Sequence, residues 1–546
     1  MKIKRIIAFL CAIFCTASAF SSCVFMPSNS TSSESDSSLE SSSDSSSLED
    51  SSEDSSEDSS QDSSPVEPTK YDVTFVYDDK RETDGVIDSK LIVRSGSPLK
   101  DAPYSSDQSI IGWTTSPEID YNTVDFPMEL TENTTLYAVR QTDFENYLPV
   151  IRVDTNGVKP SKTDEYTPAT ITLENTEEAF EFEDISAGIR RRGNSTANFP
   201  KKPYRIKFDQ KISMFGEKAH KSWVLLAMYI DPSLIRDYLG HTLAQRFDNL
   251  EFASCAYHVE LYLNDVYQGV YLLCDQVQEQ KNSRIPVEID ENELKGMTEV
   301  PFIIEKNQVR AESESVYPYD WFVGETDTQY TIKYPENPTK EQHEYIKNYF
   351  LTVEQALIDG DYNTVVDMLD VDSAYDWFLV NEFMQNFDGI QLSAFFYKTV
   401  DGKMKLGPVW DFDNSFLPTY TGLIATTRNL ELATKPLYTK KAFRSTFMEY
   451  MWKHEIFKAE YCTRWKEMRY EVIDVINHIK KYRVALRPAA LRNNELWYQD
   501  VEWDDGSGRK YVPDNQNIFE DQYDFIEEFM PKRVAYFRIT YIPYSL

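Results

Sequence analysis

The sequence predicts an α+β protein, and three observations carry that expectation. Short runs in which apolar and polar residues alternate, such as Tyr71-Asp72-Val73-Thr74-Phe75-Val76-Tyr77, recur from residue 70 onward and read as half-buried strands. Apolar residues at helical spacing appear at Tyr375, Phe378, Leu379 and Phe383, and again through much of the chain beyond Lys440. Over residues 147–546 the two patterns are mixed, whereas residues 70–142 carry strand signals alone. With 546 residues, among them 35 Tyr and 31 Phe, the chain has length for more than one domain and apolar bulk for a large core.

Residues 1–22 read as a signal peptide. Lys2, Lys4 and Arg5 precede the apolar run Ile6 to Ala19, which is too short to span a bilayer. Phe20-Ser21-Ser22-Cys23 resembles a bacterial lipoprotein processing box. That resemblance implies a lipid on Cys23 and an extracytoplasmic protein anchored to the bacterial membrane through that residue alone; plain secretion is the alternative. Residues 23–69 read as a tether. Within it Thr31 to Ser64 is nearly all Ser, Asp and Glu, and cannot bury enough apolar surface to offset the entropy of ordering. Its many Ser residues beside acids are phosphate acceptors to be tested.

Charge and cysteines exclude several classes. The net charge is −34, and the acidity is not confined to the tether. Such a surface repels nucleic acid and anionic lipid. Cys11, Cys15 and Cys23 belong to the leader; Cys255, Cys274 and Cys462 are scattered, with no C-x-x-C. A disulfide scaffold and a structural zinc site are both excluded on that spacing. The His residues show no H-E-x-x-H.

Residues 70–142 form the first folded segment. Leu91-Ile92-Val93, Ile110-Ile111-Gly112-Trp113 and Thr134 to Val139 follow the first strand, with a turn at Ser95-Gly96-Ser97-Pro98. The order V-T-F-V-Y, G-S-P-L, G-W-T-T, N-T-T-L-Y-A-V resembles the internalin B-type (Listeria–Bacteroides) repeat. The resemblance implies a small β-grasp-like module of surface proteins with a spacer or adhesion role.

Further on, Ala187 to Thr196 reads as a strand followed by a turn at Gly193-Asn194, and Pro203 to Phe208 as the returning strand. Arg190, Arg191, Arg192, Lys201, Lys202, Arg205 and Lys207 make a local reversal of sign in an acidic chain. Forked Arg donors, a glycine that lets backbone N–H groups approach and hydroxyl side chains together suit a phosphate. Trp223 to Met228 is strand-like. Asp231-Pro232 then reads as the N-cap and first position of a helix reaching Phe247. His258 to Asn264 and Gln268 to Cys274 form a hairpin around Asn264-Asp265. Phe302 to Glu305 is a strand, Thr339 to Leu357 a helix, and Trp497 to Gly508 an exposed loop.

The stretch Asn386 to Asp413, NFDGIQLSAFFYKTVDGKMKLGPVWDFD, organises the rest. Asp372 reads as the N-cap of the preceding helix, which ends near Gln385 and leaves Asp388 in a loop beside Gly389. Ala394 to Lys398 and Lys403 to Trp410 are strands folded at the turn dipeptide Asp401-Gly402. That hairpin brings Asp388 and the Asp411/Asp413 pair to its open end. Carboxylates so placed either hold a divalent cation through oxygen or act as a base beside it.

Taken together, these motifs resemble the spore-coat protein H (CotH) kinase family. The matching pieces are Arg190 to Thr196, Lys201 to Lys207, Trp223 to Asp237, Glu260 to Asn264, Gln268 to Tyr271, Asn386-Phe387-Asp388 and Gly407 to Asp413, in family order across 147–546. The resemblance implies an atypical protein-kinase-like, two-lobed domain that uses ATP and Mg2+ to phosphorylate Ser in Ser-rich proteins, its own tether included. It implies that Asp388 is the catalytic acid, that Asp411 holds the metal with help from Asp413, and that Arg192, Gly193, Asn194 and Ser195 cover the phosphates. Lys207 is the expected phosphate-pairing lysine, with Lys202 second. Ser393 stands five residues after Asp388, where ordinary kinases place a metal-binding Asn, and so leaves the second metal ligand open. The alternative is a surface adhesion protein that uses a non-catalytic kinase-like domain for binding. Glycoside hydrolysis by two carboxylates explains neither the basic turn nor W-D-F-D.

Overall fold

The computed structural model describes residues 69–541 apart from 78–86, 106, 163–164, 194–195, 278–284, 286, 288, 307–317, 327, 417–429, 438–445, 499–502, 505–509 and 512–514. The leader, Cys23 and the Ser-rich tether lie outside the described residues, as do Asn194 and Ser195. Contacts divide the chain into two units. The smaller takes in Lys90–Ala102 and Phe126–Thr134; the larger takes in Pro103–Asp125 and Thr135–Leu546, and holds every site residue discussed below.

Four strands fall in the first segment: β1 (Lys70–Val76), β2 (Ile87–Arg94), β3 (Ile110–Thr114) and β4 (Thr134–Arg140). In the larger unit β3 pairs antiparallel with β4. In the smaller, Leu99 and Met128 form an isolated bridge.

Next comes a seven-stranded closed barrel. Its strands are β5 (Val150–Asp154), β6 (Thr167–Glu174), β7 (Phe182–Arg191), β8 (Tyr204–Ile212), β9 (His220–Leu226), β10 (Tyr257–Leu263) and β11 (Val266–Asp275). Neighbours pair antiparallel in the order β10-β11-β9-β8-β7-β6-β5, and β5 closes against β10 in parallel. The inward set, including Ile171, Ile189, Ile206, Trp223, Leu261 and Leu273, is buried almost completely. Each such side chain contributes roughly 1.5–3 kcal/mol of burial. Closure also leaves no free sheet edge. Asn264 and Asp265 both take positive φ (50° and 62°), as the turn dipeptide between β10 and β11 requires.

A five-stranded sheet follows, in the order β13-β14-β12-β15-β16, from β12 (Phe302–Lys306), β13 (Trp321–Val323), β14 (Gln329–Tyr334), β15 (Phe395–Lys398) and β16 (Met404–Leu406). The expected hairpin at Asp401-Gly402 is its β15–β16 pair, with Lys398 opposite Met404. The helices are α1 (Arg236–Ala244), α2 (Glu291–Gly296), α3 (Lys340–Asp359), α4 (Tyr362–Met368), α5 (Val371–Met384), α6 (Asp388–Gln391), α7 (Thr446–Met451), α8 (Glu455–Tyr498) and α9 (Asn515–Thr540). The mixed α+β class holds.

Several local expectations shift. The helix expected to open at Asp231 begins at Arg236, because the Asp231 carboxylate is spent on a turn: it accepts from the Ser233 and Arg236 amides and pairs with the Arg236 guanidinium. Asp370, not Asp372, caps α5, accepting from Ser373 N at 3.0 Å. Asp388 opens the four-residue helix α6 rather than lying in open loop. Trp497 is the penultimate residue of α8, held there by its indole N–H on the Gln268 carbonyl at 3.0 Å. Cys255, Cys274 and Cys462 are free and buried.

Candidate active site

Three chain segments are locked together before any ligand is considered. At the end of α5, Gln385 takes a left-handed conformation and turns the chain toward Asn386. Asn386 is fully buried; its Nδ2 donates to Asn381 Oδ1 and to the Trp410 carbonyl at 3.0 Å, and its Oδ1 accepts from Gly389 N. A Cβ on Gly389 would meet the Trp410 carbonyl at 2.6 Å, so only glycine lets Asp388 and Trp410-Asp411 approach this closely. From the barrel side, Asp237 on α1 accepts from Phe412 N at 2.9 Å. Asp411 adopts φ +67°, a left-handed conformation that is costly for a non-glycine residue and is held in place by these contacts.

The acids converge. Asp411 Oδ2 accepts from Ser393 Oγ at 2.8 Å, and Asp388 Oδ2 accepts from Asn414 Nδ2. Burial pushes the Asp388 carboxyl up to about 7, and the Asp411 charge adds to it. Asp237 rises to about 8 for the same reasons, opposed by the Phe412 amide and Arg192. Asp411 is also raised, by burial, with Ser393 and Arg192 opposing. Asp413 is raised most plainly, by burial and then by Asp411, Asp237, Asp388 and Asp231. Asp388, Asp411, Asp237 and Asp413, all raised, thus crowd into one place.

Facing them is the end of β7. Arg192 sits over the Trp410 ring at 5.8 Å; burial lowers its pKa, and Asp411 is the largest influence holding it up. Gly193 has φ +89°, and a Cβ there would meet Thr196 Oγ1 at 2.1 Å, which accounts for glycine at the turn. Arg192, Thr196, Phe199, Lys201, Tyr229, Asp237, Trp410, Asp411 and Asp413 are among the residues lining one open cleft.

The lysine expectation is corrected. Lys207 is exposed on the outer face of β8, where its inward neighbours Ile206 and Phe208 put it, and lies 5.9 Å from the Tyr166 ring. Lys202 donates to the Ala197 and Phe199 carbonyls and shapes the turn. The lysine that lines the cleft is Lys201. It is buried, donates to the Val270 carbonyl and to Asn493 Oδ1 on α8, and lies 4.5 Å from the Tyr271 ring centre. Burial holds its pKa well below the usual lysine value. Reading the sequence missed Lys201 as the cleft lysine and Asp237 altogether, although both lie inside the quoted motifs.

Among the described residues no three His, Cys, Asp or Glu side chains are arranged to hold a metal by themselves. Mg2+ does not require that: it is held by one or two carboxylates, waters and substrate phosphates. Asp413 Oδ1 is buried and has no hydrogen-bond partner, an arrangement that a bound cation would satisfy. The residues present therefore fit the ion, for which Asp411 and Asp413 offer oxygen donors.

Fold and site define a class: an α+β protein whose cleft sets clustered carboxylates against an arginine-bearing strand end. The chain belongs to the CotH kinase protein family, whose pattern matches residues 189–537, from β7 to α9. It therefore carries a kinase-family domain. Comparison with curated proteins finds no match.

Proposed function

We propose that this chain is an ATP-dependent protein serine kinase, anchored outside the cell through a lipid on Cys23, that phosphorylates Ser in Ser-rich protein. The observation that carries the reading is that Asp411, Asp413 and Arg192 line one cleft, with Asp388 joined to it through Asn414. On this reading the barrel with α1 is one lobe, and the β12–β16 sheet with the later helices is the other.

Asp388 accepts the proton of the acceptor Ser hydroxyl as the Ser oxygen bonds to the γ-phosphorus. The bond from that phosphorus to the β–γ bridging oxygen breaks, and ADP leaves with the oxygen. Asp411 and Asp413 would hold Mg2+, which when bound would supply charge neutralisation at the phosphate oxygens. Arg192 offers donors to the same phosphates, and Lys201 adds a buried donor at the cleft wall. Phe199, Tyr229 and Trp410 add aromatic faces to its wall.

The test is transfer of labelled phosphate from ATP to a peptide spanning Thr31 to Ser64, with wild type and Asp388→Asn compared. Transfer lost in the variant supports the kinase. Wild-type protein with neither transfer nor a nucleotide-dependent thermal shift would leave the surface-adhesion reading. Radiolabelled fatty acid incorporated by wild type and not by Cys23→Ala tests the anchor.

A further inference from the structure

We infer that Asn414 is a second-cation ligand and the residue that orients Asp388, one carboxamide serving both ends of the site; this rests on the phosphotransfer reading above. Asn414 is 5% exposed, and its Nδ2 donates to Asp388 Oδ2. The amide orientation is fixed chemically, because turning it over would set its oxygen against a carboxylate oxygen. With the NH2 group committed, Oδ1 points in the other direction within the amide plane. That atom is buried and has no hydrogen-bond partner, and the same holds for Asp413 Oδ1 on the preceding residue.

A neutral amide oxygen and a carboxylate oxygen, both buried and unpaired on adjacent residues, are an incomplete ligand set for a hard cation, which takes carboxylate and amide carbonyl oxygens alike. A neutral donor would satisfy the amide oxygen alone and leave the charge of the acid cluster unbalanced. Ser393, at the position where a second ligand is sought by spacing, carries no amide, and its hydroxyl donates to Asp411. Asn414 thus takes over the work of the missing amide from the opposite side of the β15–β16 hairpin. Cation occupancy and the aim of Asp388 are then coupled through a single side chain. An ion on Oδ1 polarises the amide and strengthens the N–H donated to the carboxylate.

Mn2+ titration of the full chain, followed by the electron paramagnetic resonance signal of the free ion, tests this, with phosphate transfer measured in parallel. Asn414→Ala should weaken Mn2+ binding at least tenfold, with the cation-free melting temperature held within a few degrees. Asn414→Asp keeps an oxygen ligand but replaces the donor with a second anion. It should bind Mn2+ within about threefold of wild type while transferring phosphate at least tenfold more slowly. An Asn414→Ala protein that titrates like wild type overturns the assignment, as does a folded Asn414→Asp protein that binds as weakly as Asn414→Ala. Wild type that binds Mn2+ through Asn414 yet transfers no phosphate leaves the ligand assignment standing and sinks the kinase reading instead.

Discussion

Asn386 donates from its side-chain amide to the main-chain carbonyl of Trp410 at 3.0 Å, joining the residue two before one site acid to the residue one before the other. Both residues are buried. Asn386→Ala would strip donors from Asn381 and Trp410 and an acceptor from Gly389 at once. Leaving buried polar groups unpaired costs about 1–3 kcal/mol each. The expected result is a lower urea midpoint together with a loss of transfer rate out of proportion to it, measured at a temperature where the variant is still folded.

A buried ion pair supports the same region from the barrel side. Arg236 and Asp231 are each about 1% exposed or less; the guanidinium also donates to the Ser415 carbonyl at 3.0 Å and to Gln522 Oε1 at 2.9 Å. Removing one partner of such a pair typically costs 3–5 kcal/mol, roughly, because the other charge stays buried. Arg236→Met should therefore be strongly destabilised. Arg236→Met with Asp231→Asn should recover part of the loss, as read by chemical denaturation.

The raised carboxyls give stability a pH dependence of known sign. Asp388 and Asp237 titrate near 7 and 8 in the folded chain, against about 3.9 when unfolded. Between these limits the folded chain holds protons that the unfolded chain has released, so unfolding becomes easier as pH rises. Their contribution is fully present below about pH 4 and is lost by about pH 8. Metal-free protein should melt lower at pH 8 than at pH 6. Mg2+ favours the ionised acids and should raise the melting temperature more at pH 8. An equal Mg2+ shift at both values would contradict the placement of the ion on these acids.

Lys201 and Lys207 separate by location. Lys207→Ala removes an exposed side chain on the outer wall of the barrel and should leave phosphate transfer within about threefold, as surface changes usually leave stability unmoved. Lys201→Met removes the cleft donor and leaves the Val270 carbonyl and Asn493 Oδ1 short of a partner. It should lower nucleotide-dependent thermal shifts and slow transfer by tenfold or more. The reverse ranking would restore the outer lysine as the phosphate partner.

Local chemistry alone determined much of this protein. Asp401-Gly402 set the hairpin that carries the acids, and Asn264-Asp265 set the β10–β11 turn. Alternation within Tyr204 to Phe208 already told inward residues from outward ones. Read correctly, that alternation put Lys207 outside. The order of the basic turn, N-F-D and W-D-F-D was legible as a family pattern. Tertiary structure decided which ends meet. Only barrel closure, β5 against β10, and the seating of α1 brought Asp237 to the Phe412 amide. Only the approach of α8 gave Lys201 its Asn493 partner, and only the fold around Gly389 set Asn414 against Asp388. Periodicity reports the face a side chain points to within its own element. It carries no record of contacts between distant elements, because those are fixed by how whole layers pack.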